Sequence, residues 1–309
     1  MTSYVALQAY VSRLQDVQRE VERNSSAGPE VWDATAGFLK RLQKRLLRPP
    51  RIAILGEANT GKTSLANLLI GQELLITDIV NNTRAPILIR YADAAHLCVV
   101  TPDGNRSALD VGNIGSLQGS AISFLELGLP LAVLQTFEVI DTPGVSIQGE
   151  NLERLAAVGK QADLAIWCTL ATQAWRASER QLWDMVNARI RTSSLLAVTH
   201  ADALTPVEQD RVQERLQREA APVFFDTAMI ALSDQPTMEA GNGASGKEPA
   251  PVSAVDGGTI ALRRKLGAAL GHVEQRRLTA ARRAVGRFTQ GLDEFGSPQP
   301  PLEPLSAAS

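Results

Sequence analysis

The chain contains little cysteine, little histidine and few aromatic residues. Its 309 residues include two cysteines and three histidines, and aromatic side chains account for 5%. Cys98 and Cys168 each lie in an apolar, strand-like run, which is not the spacing of a disulfide framework or a zinc site. We therefore interpret both cysteines as core residues.

Long apolar segments are also missing. No stretch approaches the roughly 18 apolar residues that cross a bilayer, and the N-terminal M-T-S-Y lacks the charged and apolar blocks of a targeting signal. The formal net charge at pH 7 is −2, which is close to neutral. These absences predict a cytosolic protein, with peripheral attachment at the inner membrane face as the alternative.

The sequence does contain a complete phosphate-binding loop. Residues 56–63 read G-E-A-N-T-G-K-T, which matches G-x-x-x-x-G-K-S/T. A strand-like run precedes the loop and helical spacing follows it. In such a loop, backbone N–H groups and the lysine bind phosphates, while the final hydroxyl ligates Mg²⁺. We predict a nucleoside triphosphate site formed by Gly56, Glu57, Ala58, Asn59, Thr60, Gly61, Lys62, Thr63 and Ser64.

A second motif follows a later strand. The run F-E-V-I ends in Asp141-Thr142-Pro143-Gly144. An aspartate at the end of a strand beside the phosphate loop can hold Mg²⁺ through water, and Gly144 can donate its N–H to the γ-phosphate. Taken alone, the same tetrapeptide is also an ordinary turn. After a phosphate loop, it predicts a metal ligand and a phosphate sensor.

The third motif concerns the base. The run L-L-A-V-T ends in Thr199-His200-Ala201-Asp202, which resembles the N/T-K-x-D motif of GTPases. In that motif the aspartate accepts hydrogen bonds from guanine N1–H and the exocyclic amine, a donor pair that adenine lacks. His200 replaces the usual lysine, and an imidazole can stack on the base instead. Ser233 stands where GTPases place a backbone contact to the guanine oxygen.

Thr83 completes the predicted metal site. It lies in the polar segment 78–86, between the first helix of the domain and the next strand. GTPases carry there the switch threonine that ligates Mg²⁺ only while the γ-phosphate is present. The predicted metal ligands are therefore Thr63, Thr83 and Asp141.

Strand and helix patterns alternate through the middle of the chain. Predicted strands are 51–55, 86–91, 96–101, 136–140, 163–169, 194–199 and 228–232, and predicted helices are 62–70, 116–127, 152–160, 177–190 and 206–219. The alternation is typical of an α/β domain with a mostly parallel sheet covered on both faces. Pro102-Asp103-Gly104 predicts a hairpin turn.

Both ends of the chain show helical spacing of apolar residues, which predicts a small helical bundle because such helices are marginal alone. The predicted domains are residues 1–48 (N-terminal bundle helices), 49–271 (nucleotide-binding domain), 272–295 (C-terminal bundle helix) and 296–309 (disordered tail). The segment 240–258, rich in Gly, Ala, Ser and Pro, predicts a mobile loop or linker.

Basic residues concentrate in the flanking segments of the chain, on the predicted bundle helices and next to them. They are Lys40, Arg41, Lys44, Arg45, Arg48 and Arg51, and later Arg263, Arg264, Lys265, Arg276, Arg277, Arg282, Arg283 and Arg287. Such faces can attract anionic lipid or nucleic acid, although basic runs are more often solvated helix faces. Because aromatic residues are scarce there, an anionic membrane surface or a protein is the favoured partner over nucleic acid.

Together, the phosphate loop, the segment 83–86, Asp141–Gly144 and Thr199–Asp202 resemble the GTPase domain of bacterial dynamin-like proteins, over about residues 50 to 270. The long interval from Thr83 to Asp141 is similar to the inserted hairpin and helix of that group. The resemblance implies a P-loop GTPase fold with a helical bundle, GTP/GDP and Mg²⁺ as ligands, GTP hydrolysis that drives a conformational switch, and a homodimer across the nucleotide. The long stalk and lipid-binding tip of dynamins have no counterpart here, so we do not expect membrane scission.

The resemblance leaves the orientation of the attacking water open. Val145 stands where Ras-like enzymes carry a glutamine, and Ala58 where eukaryotic dynamins carry one. In such GTPases an asparagine at the position of Asn59 can ligate K⁺ against the phosphates; alternatively, Asn59 only hydrogen-bonds the loop. We expect hydrolysis that is slow in the monomer and stimulated by K⁺. The predicted catalytic residues are Lys62, Thr83, Gly144 and Asn59.

Two other functions stay open at this point. A ribosome-assembly or RNA-binding GTPase would use the basic C-terminal helix as its RNA contact. A GTP-binding scaffold without hydrolysis is suggested by His200 and by the missing glutamine.

Overall fold

The computed structural model describes residues 2–23, 29–73, 85–109, 122–145, 151–232 and 257–295. Strands β1 to β9 are Arg51–Gly56, Ile87–Tyr91, His96–Val100, Arg106–Ala108, Phe124–Leu129, Glu138–Asp141, Leu164–Leu170, Leu195–Thr199 and Asp226–Met229. Helices α1 to α8 are Thr2–Arg23, Pro29–Leu47, Lys62–Ile70, Asn151–Gln161, Ala177–Asp184, Ala188–Arg191, Pro206–Glu219 and Gly257–Phe295.

The nine strands in the described part of the chain form one sheet, in the order β4-β3-β5-β2-β6-β1-β7-β8-β9. Parallel pairs run from β6 through β1, β7 and β8 to β9, and β2 is parallel to β5. The pairs β2–β6, β3–β5 and β3–β4 are antiparallel. The predicted α/β fold with a mostly parallel sheet is confirmed.

Strand β1 lies near the middle of the sheet, and its register fixes what surrounds its C-terminal end. Ile54 pairs with Asp141 of β6, and Gly56 pairs with Cys168 of β7. Open α/β sheets bind ligands beside the carboxyl ends of their strands. The register therefore brings the phosphate loop and the predicted metal ligand to one edge.

A cluster of aromatic side chains packs under this part of the sheet. Trp167, Trp175, Trp183 and Phe224 belong to one buried core. The indole centroids of Trp167 and Trp183 lie 5.8 Å apart in an edge-to-face arrangement, and Trp175 meets Phe224 at 4.9 Å. Such rigid contacts fix β7 and the segment that follows it.

The chain divides into two compact units, residues 50–270 and residues 1–49 with 271–309. In the second unit, α1, α2 and α8 share one apolar core made of Val11, Leu14, Val17, Leu39, Leu46, Ala281, Ala284 and Val285. The Arg277 side chain, 7% exposed, donates from Nη1 to the Arg48 carbonyl oxygen at 2.9 Å. It thereby satisfies a carbonyl just beyond the end of α2.

Three predicted elements differ from the structure. The helix predicted at 116–127 is wrong over 124–127, which belong to β5; residues 116–121 lie outside the described residues, as do 240–256 and 296–309. The helix predicted at 177–190 is interrupted, because the Asn187 side chain accepts a hydrogen bond from Arg189 N and begins a new helix. The last strand ends at Met229 and not at residue 232.

The predictions for the hairpin turn, the two cysteines and membrane-spanning helices can also be compared with the structure. The turn at Pro102-Asp103-Gly104 joins β3 and β4 as a hairpin. Cys168 is buried as expected, whereas Cys98 is only half-buried, and both are free thiols. In the described part of the chain, none of the helices combines the length and apolarity that crossing a bilayer requires.

Candidate nucleotide-binding site

The phosphate loop connects β1 to α3 in a backbone conformation that its glycines permit. Gly56 has φ +148° and Gly61 has φ +73°, values that L-residues with a side chain rarely adopt. A Cβ on Gly56 would lie 2.4 Å from the Cys168 carbonyl oxygen, and one on Gly61 would lie 2.5 Å from Leu232 Cδ1. Asn59 also has positive φ, at 60°. Both the backbone and the available space therefore require glycine at position 56, whereas at position 61 the backbone favours glycine and a Cβ would require the Leu232 side chain to move.

Lys62 is folded back over the loop. Its Nζ donates to the Glu57 carbonyl oxygen at 2.5 Å, and Thr60 Oγ1 donates to the same oxygen at 2.9 Å. The lysine is only 7% exposed. Burial lowers the pKa of Lys62, while nearby acidic groups such as Asp141 act in the opposite direction. The ammonium group thus lies within the loop that would surround the phosphates.

Asp141 and Thr63 lie side by side at the end of β6. Thr63 Oγ1 donates to Asp141 Oδ2 at 2.9 Å. The carboxyl group is fully buried, and its Oδ1 has no hydrogen-bond partner among the described residues. Burial raises the pKa of Asp141 to about 6. A buried carboxylate oxygen without a partner, beside a hydroxyl, is a donor set that fits Mg²⁺.

The segment after Asp141 packs directly on the phosphate loop. A Cβ on Gly144 would lie 2.7 Å from Ala58 Cα and 2.8 Å from Ala58 N. Val145 N donates to the Gly56 carbonyl oxygen at 3.1 Å, and Thr142 Oγ1 donates to the Ile54 carbonyl oxygen at 2.6 Å. Gly144 is therefore held against the loop, at a distance that only glycine allows.

The predicted base contacts lie on the other side of the loop. Thr199 Oγ1 donates to the Thr60 carbonyl oxygen at 3.0 Å. His200 has φ 54°, and its Nε2 lies 3.5 Å from the position that a Cβ on Gly61 would take. Asp202 is exposed in the short 3₁₀ turn Ala201–Ala203. Thr83 and Ser233 lie outside the described residues.

The structure also brings in residues that the motifs do not include. The Glu57 carboxylate accepts hydrogen bonds from Ser178 Oγ at 2.8 Å and from the Arg176 guanidinium. Buried Glu179 accepts hydrogen bonds from Trp167 Nε1 and Thr169 Oγ1, and burial raises the pKa of this carboxyl group. No local sequence signal pairs Glu57 with Arg176, because 119 positions separate them.

These features define a P-loop GTPase domain: a phosphate loop after a central strand, a buried aspartate beside its threonine, and a T-x-x-D turn next to the loop. Comparisons with known proteins agree. Residues 51–200 match the family model described as "50S ribosome-binding GTPase".

Curated relatives are similar over part of their length. Dynamin-like protein 2 of Campylobacter jejuni is 28% identical over 183 residues, which cover 56% of this chain and 29% of that protein. The tRNA modification GTPase MnmE of Ruegeria pomeroyi is 28% identical over 127 residues, which cover 40% of this chain and 29% of that protein. The chain thus spans less than a third of the length of these relatives.

A solved structure supports the fold. The structure titled "An oligomerised bacterial dynamin pair provides a mechanism for the long-range sensing and tethering of membranes" superposes with a TM-score of 0.54 at 19% identity, covering 85% of this chain and 43% of that chain. Together with the sequence relatives, it shows that this chain is similar to bacterial dynamin-like GTPases, the group that the motifs resemble.

Proposed function

We propose that this chain binds Mg²⁺·GTP, hydrolyses it and acts as a nucleotide-dependent conformational switch. One observation carries the proposal: the Lys62 ammonium, the Thr63 hydroxyl and the buried Asp141 carboxylate lie together where the phosphate loop ends and α3 begins. A bound magnesium ion would neutralise charge on the β- and γ-phosphates.

In this proposal, each residue of the site has a distinct task. Lys62 binds the β- and γ-phosphates, and Gly144 donates its N–H to the γ-phosphate. Thr63, Asp141 and Thr83 hold magnesium. The base is bound by Thr199, His200, Asp202 and Ser233.

The first test measures phosphate release from GTP and ATP, with Lys62→Ala as the variant. We expect turnover of GTP and not ATP, and a loss of about 10²-fold in Lys62→Ala, because a charge that stabilises the transition state is removed. Lys160→Ala is the control, since Lys160 is exposed on α4. Equal rates in parent and Lys62→Ala would contradict the proposal. GTP binding without phosphate release would favour the scaffold alternative.

The potassium proposal has its own test. We propose that Asn59 ligates K⁺ beside the phosphates and so replaces the missing glutamine. Its supporting observations are the left-handed backbone of Asn59, with φ 60°, and the exposure of this residue in the phosphate loop. Rates in K⁺ should exceed those in Na⁺, and Asn59→Ala should remove the difference. Identical rates in the two salts contradict it.

We also propose that GTPase domains dimerise across the nucleotide and that the helical unit meets an anionic surface. The proposed contact with an anionic surface is supported by exposed basic residues on α2 and α8, which are Lys40, Arg41, Lys44, Arg282, Arg283 and Arg287. Sedimentation with GDP and aluminium fluoride tests the dimer. Co-sedimentation with phosphatidylserine vesicles, against ribosomal RNA at equal ionic strength, separates the membrane proposal from the RNA-binding alternative.

A further inference from the structure

A basic cleft lies next to the phosphate loop, because its lining residue Arg176 pairs with Glu57 of that loop. Its volume is about 460 Å³ and it opens to solvent. One wall is the segment after β7 and the other is the exposed face of α7. The lining residues are Thr172, Gln173, Arg176, Arg211, Val212 and Arg215.

The lining residues carry positive charge only. Three of its six residues are arginines, and none is acidic or aromatic. Arg211 and Arg215 are one helical turn apart on α7, with Val212 between them. Asp210 and Glu214 flank Arg211 in sequence but do not line the cleft, and Glu208, one turn before Arg211, accepts hydrogen bonds from Thr205 N and Oγ1. The cleft thus offers guanidinium donors around one apolar side chain.

Hydrogen bonds hold the walls of the cleft in place. Arg215 Nη2 donates to the Ala174 carbonyl oxygen at 2.5 Å, and Trp175 N donates to Thr169 Oγ1 at 3.1 Å. Trp175 has φ 59°, a strained value for an aromatic residue. Strain of this kind persists only where the surroundings fix it, so the cleft is pre-formed.

Arg176 belongs both to the cleft and to the nucleotide site. Its guanidinium pairs with the Glu57 carboxylate, and these side chains are 44% and 19% exposed. The backbone oxygen of Glu57 accepts hydrogen bonds from Lys62 and Thr60. A ligand that engages Arg176 from the cleft would therefore compete with Glu57 and leave a carboxylate unneutralised beside the triphosphate.

We propose that this cleft binds an acidic protein segment, and that binding draws Arg176 from Glu57 and so weakens the hold on the nucleotide. The inference rests on the proposed function for its second half. A segment with acidic side chains is favoured because Arg176 already pairs with a carboxylate, that of Glu57, and because guanidinium groups form bidentate hydrogen bonds with carboxylates. In addition, Val212 can contact an apolar side chain of the same segment. Nucleic acid is disfavoured, since no aromatic side chain on which bases could stack is among the lining residues.

The first experiment measures binding alone, with the nucleotide-free full chain. The probe is a fluorescent peptide, Glu-Glu-Leu-Glu-Glu, and Gln-Gln-Leu-Gln-Gln is its neutral control. We expect Arg211→Glu to weaken binding by roughly tenfold or more, and Arg264→Glu, which reverses an exposed charge on α8, to leave it unchanged. Equal binding to both variants, or preferential and Arg211-dependent binding of an oligonucleotide, would overturn the proposal.

The second experiment measures the coupling. Saturating peptide should accelerate release of a fluorescent GDP analogue by about fivefold or more. At equilibrium, GDP should lower the affinity for the peptide by the same factor by which the peptide lowers the affinity for GDP. Glu57→Gln keeps the acceptor for Ser178 but removes the charge, so it should abolish the acceleration. Acceleration that persists in Glu57→Gln refutes the coupling. A chain that binds no guanine nucleotide refutes the coupling and the proposed function together, while the peptide result stands independently.

Discussion

At the scale of single residues, the site depends on charges that are held out of water. Asp141 is fully buried with one oxygen unpartnered among the described residues, and Lys62 is nearly buried. In each case burial disfavours the charged form. Binding of magnesium and phosphate would supply counter-charges, whereas burial of these groups without such partners costs stability.

This cost predicts a pH dependence. The pKa of Asp141 rises from 3.8 in the unfolded chain to about 6 in the folded chain. Its contribution to stability is therefore full below about pH 4 and lost as the pH rises through about 6. Asp141→Asn cannot ionise, so without ligand it should gain up to about 3 kcal/mol over the parent at pH 7.5.

Urea unfolding at pH 5 and pH 7.5 measures this gain, which should be clearly smaller at pH 5. The same variant should lose magnesium-dependent GTP binding, because an amide carries no charge for the metal. A stability difference that does not change with pH would show that the carboxyl group titrates normally.

At the scale of elements, glycine positions decide whether the loop can form. Gly61 and Gly71 flank α3 and have similar φ, +73° and +77°. A Cβ on Gly61 would collide with Leu232 Cδ1 at 2.5 Å, whereas a Cβ on Gly71 meets nothing within 4 Å. Alanine substitutions at these two positions therefore separate the effect of backbone strain, which both share, from the effect of a steric collision, which only Gly61 has.

We expect Gly61→Ala to abolish nucleotide binding and Gly71→Ala to preserve it, with a shared loss of about 1 kcal/mol in the free energy of unfolding. Calorimetric titration with GTP and urea unfolding provide the measurements. Adding Leu232→Ala should restore part of the stability of Gly61→Ala. If Gly71→Ala also loses binding, strain alone would explain both variants.

Elements with a strong local pattern could be predicted from the sequence, and those set by distant partners could not. The runs at β1, β7 and β8 are mostly apolar because both faces of the sheet are covered. Strand β5 carries Glu126 in its interior, and its spacing was compatible with a helix. Arg90 and Arg106 from neighbouring strands, each 2.9 Å from that carboxylate, make the strand possible.

The same distinction applies to the site. Lys62, Thr63 and Asp141 follow from motifs at strand ends, where the topology brings them together. Leu232 was predicted to continue the last strand, but it lies beyond that strand and contacts the phosphate loop. The Glu57–Arg176 pair depends on tertiary packing between β1 and the segment after β7, and no periodicity encodes it.

At the scale of the whole molecule, two compact units have separate cores. Leu39 is fully buried among α1, α2 and α8, whereas Leu47, on the same helix, is 45% exposed. Leu39→Ala should therefore lower the free energy of unfolding by about 2–5 kcal/mol, and Leu47→Ala by less than about 0.5 kcal/mol. Urea unfolding measures both variants.

Neither substitution should change the affinity for GTP, because the predicted nucleotide contacts lie within residues 50–270. A large loss of affinity in Leu39→Ala, with Leu47→Ala unaffected, would show that the helical unit contributes to nucleotide binding. Equal stability losses in the two variants would contradict the position of the helical core.

The tryptophan cluster provides an intrinsic spectroscopic probe. Three of the four tryptophans in the chain lie in one buried group next to Glu179, which reaches the cleft segment through Arg176 N. Emission and near-ultraviolet dichroism should therefore be dominated by the surroundings of β7. Nucleotide binding at the neighbouring phosphate loop could therefore be followed by these tryptophan signals, without an attached dye.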